Sequence, residues 1–195
     1  STPTAIVFQY NPHTISRKLK AQRPEEKKGQ TSGKRLAGPP EESMSLDVEI
    51  DAADQLDEGS ETADALGIHP QLAALETLLY PPSRHLKKMA GKLAAGMMEV
   101  VAPPSPMVLF VWGVKRVVPV EITEFSVTEQ AHDADLNPLR AKVSLGLKVL
   151  SYSDFSQSEP GYHVFAAHHT VKEAMSAVGR AEGLAQTALG ESSLL

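Results

Sequence analysis

Two stretches of the chain alternate apolar and polar residues with a period of two, which predicts strands that bury one face. Residues 43–51 and residues 139–150 both keep this alternation along their length. Because successive side chains of a strand point to opposite faces, each segment can cover one side of a hydrophobic core. The apolar positions are Met44, Leu46, Val48 and Ile50 in the first segment, and Leu139, Ala141, Val143, Leu145, Leu147 and Val149 in the second.

Four further segments favour strands, because they are rich in β-branched and aromatic residues or alternate in polarity. They are residues 5–10, 15–21, 107–112 and 117–128. In the last of them the apolar phase slips by one residue between Ile122 and Phe125, which is what a β-bulge produces. This strand and residues 139–150 are predicted to form a hairpin, joined by the polar connection of residues 129–138.

The period changes to that of a helix in the middle of the chain. A first stripe of Ile68, Leu72, Leu75 and Leu79 stops at the prolines at positions 81 and 82, and a second helix is predicted over residues 83–101. Ordinary core packing is the favoured interpretation of the second stripe, and an adaptable, methionine-rich binding surface is the alternative. That stripe consists of Leu86, Met89, Leu93, Met97 and Val100, with Lys87, Lys88 and Lys92 turned away.

The remaining segments lack apolar periodicity. Residues 22–40 are rich in Lys, Glu, Gly and Pro and predict a mobile loop, and the acidic residues 52–65 predict a second loop. The whole pattern predicts a mainly β fold with helices (α+β) and about six strands. Residues 1–150 form the β domain, with residues 68–101 as a helical insertion. Residues 151–195 form a linker and a C-terminal helical extension, helical over about residues 170–188.

Composition narrows the possible partners. The net charge of −5 provides no global basic field, so nucleic acid and anionic membrane surfaces are not expected as main partners. Residues 89–102 are the longest apolar-leaning stretch, but Lys92 and Glu99 interrupt it and it is too short to span a bilayer. No signal peptide is visible and the chain has no cysteine. We therefore expect a soluble protein made in the cytoplasm, with no membrane insertion.

The histidines do not form a convincing catalytic or metal-binding pattern. His168 and His169 are adjacent, so their side chains diverge on either a strand or a helix, and His163 and Glu173 are only possible partners. None of the motifs G-x-S-x-G, H-E-x-x-H or a phosphate-binding glycine loop occurs. The sequence therefore predicts a protein that is not an enzyme and carries neither metal nor cofactor.

Three regions resemble the N-terminal tube domain of the tube-type baseplate adaptor proteins of phage-tail-like contractile injection systems. They are the opening VFQYNPHTISR, the segment PPEESMSLDVEID, and PSPMVLFVWG followed by VEITEFSVTEQAHDADLNPLRAKVSLGLKV. The resemblance implies a tail-tube-like β-barrel flanked by a helix. It also implies a homo-hexameric ring that joins the inner tube protein to the spike or hub protein and other baseplate components.

Many proteins of this family carry a LysM module after the barrel. Tyr162-His163-Val164 and Thr170-Val171 are similar to its start, but His168-His169 replace the glycine and aspartate that precede the threonine. The resemblance therefore implies a module that is degenerate or absent. It places the protein in the bacterial cytoplasm during assembly and then in an injection particle.

The polar connection at the hairpin end is the predicted assembly interface, because in the resembled family such loops reach the adjacent layer of the stack. Two other functions remain open. One is the main inner-tube subunit of the same kind of particle, and the other is an exported effector or enzyme. The predicted interface residues are His132, Asp133, Asp135, Asn137, Arg140 and Lys142.

Overall fold

The computed structural model describes residues 6–8, 10–23, 36–80, 83–96 and 107–192, except for the side chains of residues 84–88 and 184–192. The protein is a mixed α/β protein with a five-stranded antiparallel sheet that curls into a half-barrel, followed by a C-terminal helix. The strand order in the sheet is β1-β2-β5-β4-β3. The strands are β1 (Ile15–Lys20), β2 (Glu41–Asp51), β3 (Val108–Val111), β4 (Val117–His132) and β5 (Pro138–Val149). The helices are α1 (Ala53–Asp57), α2 (Glu61–Leu66), α3 (His69–Glu76), α4 (Ser83–Ala94) and α5 (Pro160–Ser192).

The predicted alternation of β2 and β5 is confirmed. Every second residue of β2 is buried, and β5 follows the same rule from Ala141 onward. Val48 and Val143 are completely buried at the centres of the two strands. The buried faces of these two adjacent strands therefore supply much of the core.

The change of phase in β4 coincides with a close approach to β5. Ile122 and Phe125 are both half-buried, and the two residues between them are exposed. A Cβ atom on Gly146 would lie 2.8 Å from the Cβ of Glu124 and 3.3 Å from the Oγ1 of Thr123. The two consecutive exposed residues agree with the β-bulge predicted here, and a side chain at position 146 would crowd them.

The chain divides into two compact units. The first comprises residues 1–20, 42–108 and 121–148. Within it, the segment from α1 to α3 is tied to the start of β5: Ala52 N donates to Leu139 O at 2.8 Å, and Ile68 N donates to Pro138 O at 2.9 Å. Ala63, Ile68, Leu72 and Leu75 are buried, so one stripe of α2 and α3 completes the core of this unit.

Two expectations about the first unit are wrong. Residues 52–65 are not a loop, because they form α1 and α2. The Oγ of Ser60 accepts a hydrogen bond from Ala63 N, which is a helix N-cap. Ile6–Phe8 and Tyr10 do not lie in a strand. The mixed fold with a curled β-sheet is confirmed, but the described strands form a half-barrel and not a full barrel, so the tail-tube fold stays a prediction.

Helix α4 also differs from the core-packed helix that was expected. Met89 is 41% exposed and Leu93 is 68% exposed, so two members of the predicted apolar stripe face solvent in the part of the chain that is described. Leu86, Met97 and Val100 lie outside the described side chains. The alternative interpretation, an exposed binding surface, fits Met89 and Leu93 better.

The second unit comprises residues 21–41, 109–120 and 149–195. Its helix α5 begins ten residues before the predicted start, so the proposed linker covers only the turns before Pro160. Ser156 N donates to the Glu159 carboxylate at 2.6 Å, and Phe155 packs against the Cα of Gly161. Tyr152 meets the rings of Tyr162 and Phe165 edge to face. These contacts fix the first turns of α5.

Candidate assembly interface

The tip of the β4–β5 hairpin is a short loop organised by one carboxylate. Asp133 Oδ1 accepts hydrogen bonds from the backbone N–H groups of Asp135 at 2.9 Å and Asn137 at 2.8 Å. Its Oδ2 accepts from Asn137 Nδ2 at 2.8 Å. The bonds from Asn137, first from its side chain and then from its backbone, hold the pKa of Asp133 below its usual range. The loop is therefore pre-ordered before it meets a partner.

Two non-glycine residues at the hairpin end have positive φ, one just before this loop and one within it. Ala131 has φ of 46° and Leu136 has φ of 67°. This conformation costs an L-residue about 1–2 kcal/mol. The side chain of Leu136 is nevertheless 78% exposed, so packing within the chain does not offset the cost. Sequence reasoning missed Leu136, because an apolar residue in a polar loop carries no signal of its backbone conformation.

The predicted interface residues fall into two groups. His132, Asp133, Asp135 and Asn137 lie at the tip. His132 Nε2 is 3.5 Å from Glu129 Oε2, and both side chains are exposed. Asp135 is exposed, whereas Asn137 is half-buried and donates to Ala65 O at 3.4 Å. Arg140 and Lys142 lie farther along β5.

Arg140 and Lys142 are engaged in ion pairs with the adjacent strand. Arg140 Nε donates to Asp51 Oδ2 at 2.6 Å, and Lys142 Nζ lies 2.8 Å from Asp47 Oδ2. The hydrogen bond from Lys142 lowers the pKa of Asp47, and the bond to Asp47 raises the pKa of Lys142. The pKa of Asp51 is lowered first by the backbone N–H of Ala53 and then by Arg140. These cross-strand pairs fix the register of β2 and β5, so a partner of this face must compete with them.

Both ends of the predicted connection belong to the fold. Glu129–His132 is strand rather than loop, so only residues 133–137 form the turn. Pro138 is fully buried, and its carbonyl packs against the backbone of Gly67. The connection predicted over residues 129–138 is therefore shorter in the structure. Only the tip can reach a partner without disturbing the fold.

Along much of β4, the described residues supply a neighbouring strand on one side only. The bond from Trp112 N to Arg116 O, at 2.8 Å, closes the turn that pairs β3 with the beginning of β4. Because β3 has only four residues, its pairing ends near Val120. From Glu121 to His132, the side of β4 away from β5 borders no other strand in the described ranges. Open edges of this length are natural sites for strand addition.

A shallow groove of about 180 Å³ lies on the outward face of the first unit beside Gly146. Hydroxyl groups of Thr14, Ser16, Ser45 and Ser144 line it, together with the carboxylates of Asp47 and Glu124. Ser144 Oγ already donates to Asp47 Oδ1 at 2.7 Å. The groove is a polar surface feature, and no histidine is among the described residues that line it.

Across the described residues, no three His, Asp or Glu side chains are grouped so that they could hold a metal ion. None of the described helices combines the length and the apolar character needed to cross a membrane. No protein-family model matches the chain, and no curated protein matches it significantly.

Proposed function

We propose that this protein is a structural subunit of a contractile injection system. It forms a homo-hexameric ring that joins the inner tube to the baseplate hub and spike. The segments that resemble the family fall on consecutive parts of one sheet. PPEESMSLDVEID corresponds to β2, MVLFVWG to β3 and its turn, and the long third segment to the β4–β5 hairpin. The segment VFQYNPHTISR runs into the start of β1.

The observation that carries the proposal is a half-barrel in which no described strand borders β4 from Glu121 to His132 on the side away from β5. A curled sheet that does not close on itself leaves backbone N–H and C=O groups along its outer strand. A neighbouring copy can satisfy them by adding its own sheet, and repetition of one such contact closes a ring. In this arrangement the wall of the ring is continuous although each subunit supplies only a part of it.

The tip and the C-terminal helix then have distinct roles. The tip at residues 133–137, with His132 beside it, stacks on the adjacent ring. Arg140 and Lys142 keep the outward face of β5 in register through their partners on β2. From His169 onward every described side chain of α5 except Lys172 is exposed, which suits a docking extension toward the hub or the other baseplate proteins. The segment similar to a LysM start lies inside continuous helix.

The copy number of the chain in an assembled particle tests the proposal. Electron microscopy of purified particles should show one ring of six copies between the tube and the spike. A stack of many such rings would identify the main inner-tube subunit instead. Three or fewer copies, or density inside the lumen in place of the wall, would exclude a ring and favour a cargo protein.

A further inference from the structure

Helix α4 is a basic amphipathic helix with an exposed apolar side. Residues 83–94 contain Arg84, Lys87, Lys88 and Lys92 and no Asp or Glu, in a chain whose net charge is −5. Met89 and Leu93, four residues apart and hence on one face, are 41% and 68% exposed. Exposed apolar residues in a helix whose sequence carries only positive formal charges suit docking on an acidic partner.

An acidic surface of matching charge lies elsewhere in the same unit. Residues 53–66, which include α1 and α2, contain five carboxylates and no Lys or Arg. All five are exposed, and Leu66 at the end of α2 is 47% exposed. This surface therefore offers both negative charge and an apolar contact. The five carboxylates are Asp54, Asp57, Glu58, Glu61 and Asp64.

We infer that α4 of one copy docks on the α1–α2 surface of a second copy, head to tail. The sequence of α4 carries a formal charge of +4 and residues 53–66 carry −5, and every copy contains both segments. Burial of Met89 and Leu93 adds the apolar component that exposed ion pairs alone do not provide. An anionic membrane is the less suitable partner, because the net negative charge of the chain opposes it.

The head-to-tail geometry rests on the ring proposed above. A two-fold pair of copies would satisfy the same charges, but it would close at two subunits. In a ring, each copy gives its α4 to one neighbour and receives the α4 of the other. The contact and the ring are thus separable claims, and they can be tested separately.

Cysteine cross-linking tests the contact, because the chain contains no cysteine of its own. Leu93→Cys is placed in one full-length chain and Glu58→Cys in another chain with a different tag. Mild oxidation of the mixture should yield mixed-tag dimers several-fold above the control. The control pairs Leu93→Cys with Val114→Cys, a 94% exposed position in the second unit. Yields equal to the control would overturn the contact.

Charge reversal provides the second test. Lys87→Glu with Lys88→Glu in one chain should lower self-association about tenfold or more in sedimentation equilibrium, as loss of close charge pairs does at interfaces. Asp57→Lys with Glu58→Lys in a second chain should restore association between the two variants. Failure of this rescue, or no effect of the first reversal, would contradict the contact.

Two further outcomes distinguish this inference from the ring. Six-fold rings that show no α4 cross-link would overturn the contact and leave the ring standing. A specific cross-link in a species that closes at two copies would support the contact and overturn the ring. Binding of the unmodified chain to phosphatidylglycerol vesicles, lost on Lys87→Glu with Lys88→Glu while self-association is unchanged, would assign α4 to a membrane and also overturn the contact.

Discussion

The backbone nitrogen of Ile68 donates a hydrogen bond to the carbonyl oxygen of Pro138 at 2.9 Å, and this bond joins the start of α3 to the first residue of β5. Both side chains are fully buried. The contact places Gly67 directly against the Pro138 carbonyl. The end of the hairpin is therefore anchored in the core of the first unit, although the tip beyond it is exposed.

Replacement of Gly67 by alanine should destabilise the protein by more than about 3 kcal/mol. Gly67 has φ of 55° and ψ of −134°, a region essentially restricted to glycine, and a Cβ would overlap Pro138 O. Gly59→Ala is the matched control, because Gly59 has φ of 72° but no atom within 4 Å of the new Cβ. Gly59→Ala should lower the free energy of unfolding by about 1 kcal/mol. Equal urea midpoints for the two variants would show that the close contact is unimportant.

Val143→Asp should prevent stable folding. Val143 is completely buried in the middle of β5, and an unpaired carboxylate there costs several kcal/mol, comparable with the total stability of a domain. Thr128→Asp places the same group on an exposed position of the neighbouring β4. Circular dichroism melting should separate the two variants clearly. A Val143→Asp protein that melts like the parent would mean that the facing of β5 is wrong.

Leu136→Gly should stabilise the isolated subunit and impair assembly. Glycine relieves the positive φ of 67°, which should raise the free energy of unfolding by up to about 1 kcal/mol. The same change removes the exposed side chain that the tip would present to an adjacent ring in the proposed assembly. Ala131→Gly relieves a similar strain but keeps Leu136. Particle yield should fall for Leu136→Gly alone, and normal particles from both variants would refute a stacking role of Leu136.

The hairpin tip should lose its order in acid. The pKa of Asp133 in the fold is lower than the unfolded value of about 3.9. The ionised carboxylate of Asp133 therefore stabilises the tip fully above about pH 4. This stabilisation is lost as the pH falls through the depressed pKa of the folded state. The amide proton shift of Asn137 should titrate with a midpoint below 3.9 and should not titrate in Asp133→Asn. A midpoint at or above 3.9 would contradict the hydrogen-bonded carboxylate.

Replacing each of two glycines of α5 by alanine should change the stability in opposite directions. Gly179 is exposed with open space around it, so Gly179→Ala should stabilise the helix by roughly 0.5–1 kcal/mol. At Gly161 the new Cβ would meet the ring of Phe155. Gly161→Ala should therefore destabilise the second unit despite the same gain in helix propensity. Helicity and melting temperature measured for both variants decide whether Phe155 fixes the start of α5.

The strands that bury one face were predictable, because their alternation records burial directly. Val48 and Val143 occupy the phase that the pattern assigned to them. Residues 52–65 were misread because acidic composition and Gly59 resemble a loop. The capping serine at position 60, followed by residues that favour helix, was the signal that could have identified α2.

The candidate interface was less accessible to sequence reasoning. The sequence of a strand does not show which residues its charged side chains contact. Predicting the pairs Arg140–Asp51 and Lys142–Asp47 would have required the register of two strands about 90 positions apart. The positive φ of Leu136 could not be predicted, because a leucine in the sequence does not indicate this backbone conformation. The exposure of Met89 and Leu93 depends on tertiary packing. The same helical spacing of apolar residues occurs whether a helix face is buried or exposed, so the spacing alone could not predict it.

The bond between Ser144 and Asp47 spans 97 positions of the chain, whereas β4 meets β5 across only a short loop. The hairpin can therefore form as soon as it has been synthesised, because closing a short loop is fast. Strand β2, in contrast, cannot pair with β5 until β5 has been synthesised. At 5–20 residues per second, translation leaves the apolar face of β2 without this partner for roughly 5 to 20 s. During that interval the nascent chain is most prone to aggregation, so slower translation should lower the soluble yield of this protein more than that of one whose neighbouring strands are adjacent in sequence.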